Sequence, residues 1–201
     1  TDGAYLVAGD YNGNIYVFRR QSSTPIWTAS LSEIGALQVA ISPGGTWVAA
    51  GTQTGEIHLY KRSSGNESWV YPSAPRIYDL EFAREAPLLA VASGSANSGQ
   101  LYLFSNASSE PLVDYPISKA FTSVAVHRNG SWLAGGADDG KVYLISAQTG
   151  LEAWSYSLGT SVDDIAANGV GTHLLAGGGD KQLVLLAVAD GVPLWTTTVE
   201  D

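Results

Sequence analysis

The chain of 201 residues carries a formal net charge of −9 and is 45% hydrophobic but only 14% charged, with 23 Gly, no Cys and no Met. That is enough apolar chain for a sizeable core and enough glycine for many turns, while it excludes a disulfide framework and disfavours nucleic acid, whose phosphates an acidic surface repels. No apolar run approaches the roughly 18 residues of a membrane span, no targeting segment is visible, and the missing initiator Met predicts a piece processed or excised from a longer parent.

In chain order, residues 1–31 predict three strands, AYLVAG, IYVFRR and IWTASL. The first turn, Asp10-Tyr11-Asn12-Gly13-Asn14, has its glycine one place early for a calcium loop, and the twelfth position is Gln21 instead of Glu, so it reads as a hairpin. Units at 36–72, 76–117, 120–158 and 161–201 each predict four strands, 19 in all. The fourth is the clearest. Val124 and Val126 alternate with Ala125 and His127, and Arg128-Asn129-Gly130 supplies a tight turn. A strand from Trp132 runs to a second turn at Asp138-Asp139-Gly140; Val142 to Ile145 and a run around Trp154 complete the sheet.

The units are copies of one another. The first apolar residue of the third strand falls at Ile15, Ile57, Leu101, Val142 and Leu183, in steps of 42, 44, 41 and 41 residues. The long step coincides with the small residues of Ser93 to Gly99, read as a loop insertion. A tryptophan recurs in the fourth strand at Trp27, Trp69, Trp154 and Trp195, with Val113 near its place in the third unit. A fixed period of this length means an array of small sheets, each hiding its faces against the next. The expected fold is therefore all-β, a β-propeller of four-stranded antiparallel blades. About five lie in this chain; the first lacks its innermost strand, and the set is either closed or part of a seven- or eight-bladed ring.

The fourth unit resembles the WD-repeat propellers, as does Ser42-Pro43-Gly44-Gly45 followed by Trp47 to Gly51. The chain departs from that family where it usually ends the third strand in Trp-Asp: here stand Phe18, Tyr60, Phe104, Ile145 and Leu186, followed by Arg19, Lys61, Ser105, Ser146 and Ala187. No Gly-His pair precedes the first strand, so the family's buried tetrad is expected to be absent. AQTGLEAW at Ala147 to Trp154 and AVADGVPLW at Ala187 to Trp195 are similar instead to the PQQ-like, quinoprotein-type repeats. The resemblance implies indoles docked between neighbouring blades. It specifies fold more than activity, because propellers host unrelated functions.

If strand order follows the family, one face collects Asn12, Gln53, Asp138, Asp139 and Asp180 from turns and Gln38, Asp79, Ser123, Asp163 and Asp164 from the starts of first strands. Its acidic members, Asp79, Asp138, Asp139, Asp163, Asp164 and Asp180, are the candidate binding residues, while Arg19-Arg20 and Lys61-Arg62 fall on the opposite rim. Such segregation steers a basic partner or a cation, although carboxylates also sit in loops simply to stay hydrated. No catalytic constellation, cofactor motif or metal-ligand spacing is visible: His58, His127 and His173 lie apart, and Gly177-Gly178-Gly179-Asp180-Lys181 lacks the phosphate-loop spacing. Sequons at Asn66, Asn106 and Asn129 are glycosylation candidates. The resulting expectation is a non-enzymatic scaffold for a protein or glycan partner, extracellular or at the cell surface, with a cytoplasmic location as the alternative. Competing readings are a propeller enzyme domain of quinoprotein or lactonase type, and a purely structural spacer.

Overall fold

The computed structural model describes residues 3–31, 38–73 and 75–199. Positions 36–37 of the predicted second unit and 200–201 of the fifth lie outside the described residues. Strands β1 (Tyr5–Gly9), β2 (Asn14–Arg19) and β3 (Trp27–Ser30) make a three-stranded sheet. The second sheet holds β4 (Gln38–Ile41), β5 (Trp47–Gly51), β6 (Glu56–Lys61) and β7 (Glu67–Pro72). The third holds β8 (Ile77–Phe82), β9 (Leu88–Ser95), β10 (Ser98–Ser105) and β11 (Pro111–Ile117). Strands β12 (Phe121–Val126), β13 (Trp132–Ala137), β14 (Lys141–Ser146) and β15 (Glu152–Ser157) make the fourth. The fifth contains β16 (Val162–Ala167), β17 (His173–Gly178), β18 (Gln182–Ala187) and β19 (Pro193–Thr198). Within each sheet neighbours follow chain order and pair antiparallel, and the first strands of successive sheets lie side by side. These are the blades of a β-propeller, about five of them.

Hydrophobic burial runs in series. Ile15 and Val17 of the first sheet meet Val48, Ala50 and Tyr60 of the second, and Ile57 and Leu59 meet Ile77, Leu80 and Phe104 of the third. Leu101, Leu103 and Val113 meet Phe121, Leu133 and Tyr143 of the fourth, whose Trp132, Val142 and Leu144 meet Val162, Leu174 and Val184 of the fifth. Among the described residues no fifth cluster joins the last sheet to the first. The alternation of each strand is thus spent on two neighbours, one on each face.

Turn chemistry follows the repeat outside the third blade, with Lys181 standing in for a glycine. Gly140 closes the turn between β13 and β14 at φ 84°, while the matching position between β17 and β18 is Lys181 at φ 65°, a left-handed conformation that a residue with a Cβ adopts at a cost. The stretch from Ser93 to Gly99 is not the predicted loop. β9 and β10 continue their pairing to Ser95↔Ser98, so the extra residues lengthen a hairpin. Glycine permits this: a Cβ on Gly94 would lie 2.3 Å from the Ala120 Cα, and one on Gly99 would lie 2.0 Å from the Lys119 carbonyl oxygen.

The indoles dock between blades, as the PQQ-like resemblance implied. Trp27 Nε1 donates to the Arg62 carbonyl at 2.7 Å, Trp69 Nε1 to the Asn106 carbonyl at 3.3 Å, and Trp154 Nε1 to the Val188 carbonyl at 2.8 Å. Each acceptor lies just beyond the third strand of the following blade. Trp195, with no described blade beyond it, is 45% exposed.

Candidate functional site

The first strands carry a repeated β-bulge, falling between Ile77 and Asp79, Phe121 and Ser123, and Val162 and Asp164. The bulged residues are therefore Tyr78, Thr122 and Asp163. Each bulge turns the next side chain toward the free edge of its sheet. Asp79, Ser123 and Asp164 meet there: Ser123 Oγ lies 2.8 Å from Asp164 Oδ1 and 3.3 Å from Asp79 Oδ2. The edge itself explains why polar groups are needed. β12 pairs only with β13, so alternate N–H groups on its other side have no strand partner. Val124 N donates to Asp79 Oδ2 and Val126 N to Glu81 Oε2, both at 2.9 Å, while Ile165 N donates to Ser123 Oγ at 3.2 Å. Polar side chains of one blade thus satisfy the inner edge of the next.

Burial is the leading influence on both acceptors. It pushes the Asp79 and Glu81 carboxyls above their ordinary values of 3.8 and 4.5, against the lowering effect of the donated N–H groups. The folded state therefore holds these protons more tightly than the unfolded chain does, and their contribution to stability is fullest below the ordinary carboxylate range and is lost as pH rises through the raised values. The expected result is that melting temperature falls as pH rises above about 4, and that the isosteric Asp79→Asn and Glu81→Gln, which keep an acceptor oxygen, flatten this fall. A profile identical to that of the unaltered protein would contradict the linkage.

The other predicted acidic residues occupy the turn face. Asp138 accepts from Ser161 Oγ at 2.9 Å, joining the turn of the fourth blade to the start of the fifth. Asp139 accepts from Lys141 N at 3.1 Å and from the Tyr143 hydroxyl, and Asp180 accepts from Gln182 N at 3.0 Å, so each also fixes its own turn. Asp163 is exposed, beside Gly179 of that second turn. The structure therefore divides the predicted set by position: Asp138, Asp139, Asp163 and Asp180 lie on the turn face, while the half-buried Asp79 and the exposed Asp164 line the inner edge. Glu81 was missed by the sequence reading, although its alternation with Leu80 and Phe82 on β8 is visible.

On the opposite rim Arg62 is structural, with Nε donating to the Gly45 carbonyl at 2.6 Å and the guanidinium 3.7 Å above the Tyr5 ring. Among the described residues no group of three or more His, Asp or Glu is placed to hold a metal ion. His58 lies in the interface between the first two blades, its Nδ1 2.7 Å from Glu67. Of the sequons, Asn66 and Asn129 are exposed, whereas Asn106 is 6% exposed and its carbonyl receives the Trp69 indole.

This is the architecture of a repeat propeller, and comparison with known families agrees. Residues 114–146 match the family model described as WD domain, G-beta repeat, and residues 138–201 match a PQQ-like repeat model described as outer membrane protein assembly factor BamB. Over 114–201 the chain is similar to the WD-repeat and PQQ-like propeller repeats, and the in-register indoles of the earlier blades keep the same strand register. No curated protein matches the chain. WD repeats generally mediate protein interactions, which fits a scaffold. No helix of the described residues is long and apolar enough to cross a membrane.

Proposed function

We propose that the chain is a non-enzymatic propeller scaffold that binds a protein or glycan partner through its acidic turn face, and that it is a module of a larger exported or cell-surface protein contributing further blades or neighbouring domains. The observation that carries this reading is the exposure of Asp138, Asp139, Asp163 and Asp180 on the turn face of the last two blades, with Asp79 and Asp164 at its inner margin. Negative charge on rigid turns favours a basic protein segment and raises its rate of encounter. The exported placement draws support from the repeat match to an outer membrane protein assembly factor and from the exposure of Asn66 and Asn129, to which the proposed glycosylation is confined.

The test is titration of the protein with a labelled oligolysine peptide at two salt concentrations, before and after replacing Asp138, Asp139, Asp163 and Asp180 together by Asn. Asparagine preserves the turns. The quadruple variant is expected to lose about tenfold in affinity and most of its salt dependence, as four exposed charges of a few tenths of a kcal/mol each imply. Unchanged binding removes the acidic face from consideration. Intact mass of the native protein, before and after glycosidase, reads the sugars separately; an unmodified mass ends that part.

A further inference from the structure

The tryptophan series has a gap, and the gap leaves a cavity. Val113 pairs with Leu103 in the same register in which Trp27 pairs with Val17, Trp69 with Leu59 and Trp154 with Leu144. In those three cases the indole crosses to the next blade and donates to a backbone carbonyl. The matching carbonyl in the fourth blade is that of Ala147: its own N–H donates to the Ser131 carbonyl, just as the N–H groups of Arg62, Asn106 and Val188 donate to Thr46, Pro87 and Thr172. Among the described residues no donor reaches the Ala147 oxygen.

Two further observations show that the space is open. A Cβ built on Gly65 would lie 3.0 Å from the Trp27 ring, and one on Gly191 would lie 2.7 Å from the Trp154 ring, so both glycines are covered by a docked indole. Gly150, the corresponding glycine of the fourth blade, has nothing within 4 Å of that position. At the Ala147 carbonyl lies an open cavity of about 370 Å³ whose lining includes Leu88, Leu103, Leu112, Ser131, Ala147 and Gln148. It is open to solvent, its three leucines share the lining with Ser131, Ser146 and Gln148, and Leu112 is 58% exposed.

We infer that this vacated dock between the third and fourth blades receives a tryptophan side chain from a partner protein, with the indole N–H donating to the Ala147 carbonyl. The occupant follows from the three indoles that fill the equivalent positions within the chain. A flat apolar ring with one donor matches the three leucines and the open Ala147 carbonyl. This site is separate from the acidic turn face.

The probe is N-acetyl-tryptophanamide, followed by amide chemical shifts of the whole chain. The expected result is saturable shifts at Ser131, Ala147 and Gln148 at millimolar concentration, with N-acetyl-phenylalaninamide, which lacks the ring donor, binding several-fold more weakly. Val113→Trp supplies the missing indole from within and is expected to abolish the shifts while raising the melting temperature. Leu112→Lys, on an exposed position that leaves the core intact, is expected to weaken probe binding independently. Absence of saturable shifts in the unaltered protein would overturn the assignment, as would shifts that persist in both variants.

Discussion

Replacing Phe121 by alanine is expected to cost about 3–5 kcal/mol of unfolding free energy, the upper range for a core aromatic. The ring is fully buried at the start of β12, between the third and fourth blades. It meets Tyr143 edge-on with centroids 5.6 Å apart, and Tyr115 at 6.5 Å. Its place is made by glycine: a Cβ on Gly135 would lie 2.5 Å from its Cδ1. Truncation removes the ring from both neighbouring blades at once, and the extended β9–β10 hairpin, lying against Lys119 and Ala120, cannot follow it inward without a backbone clash. Since a domain's whole stability is about 5–15 kcal/mol, the variant should sit near the folding threshold. Urea unfolding checks this through a lowered midpoint at unchanged slope; a loss below about 1 kcal/mol, typical of surface changes, would show that the ring does not join two blades.

The repeat made the architecture legible. Turn glycines, third-strand aliphatics and fourth-strand tryptophans recur together, and a sheet's side-chain alternation converts each recurrence into a face packed on a neighbour. The site was less legible because β-bulges break that alternation. One extra residue at Tyr78, Thr122 or Asp163 separates Asp163 on the turn face from Asp164 on the inner edge, a distinction the pair of identical letters cannot carry. The edge-capping role of Asp79 and Glu81 depends on N–H groups of a strand some 45 residues further on, so it appears only when two blades are placed side by side. Asn106, a glycosylation candidate by its sequon, is buried where the Trp69 indole docks on its carbonyl. The Ser93 to Gly99 insertion reads as loop from its small residues, yet those residues are small because a hairpin runs against the next backbone.

The second large effect concerns the indoles themselves. Trp154 is half-buried over Gly191 and donates across to Val188, whereas Trp195 holds the same strand register, opposite Leu185, with no described blade to receive it. Leu175, on the same sheet as Trp195, is likewise 37% exposed, while its counterpart in the fourth blade, Ala134, is buried against the fifth. Trp154→Ala loses the ring's burial and leaves a carbonyl without its donor, at an expected cost of about 3 kcal/mol. Trp195→Ala should cost less than about 1 kcal/mol. Chemistry and register are the same at the two positions, so the difference isolates the presence of a following blade. The most direct test of the serial blade packing is therefore chemical denaturation of these two single variants side by side. A strong loss at Trp154 with little at Trp195 is the predicted result; equal losses would contradict the account.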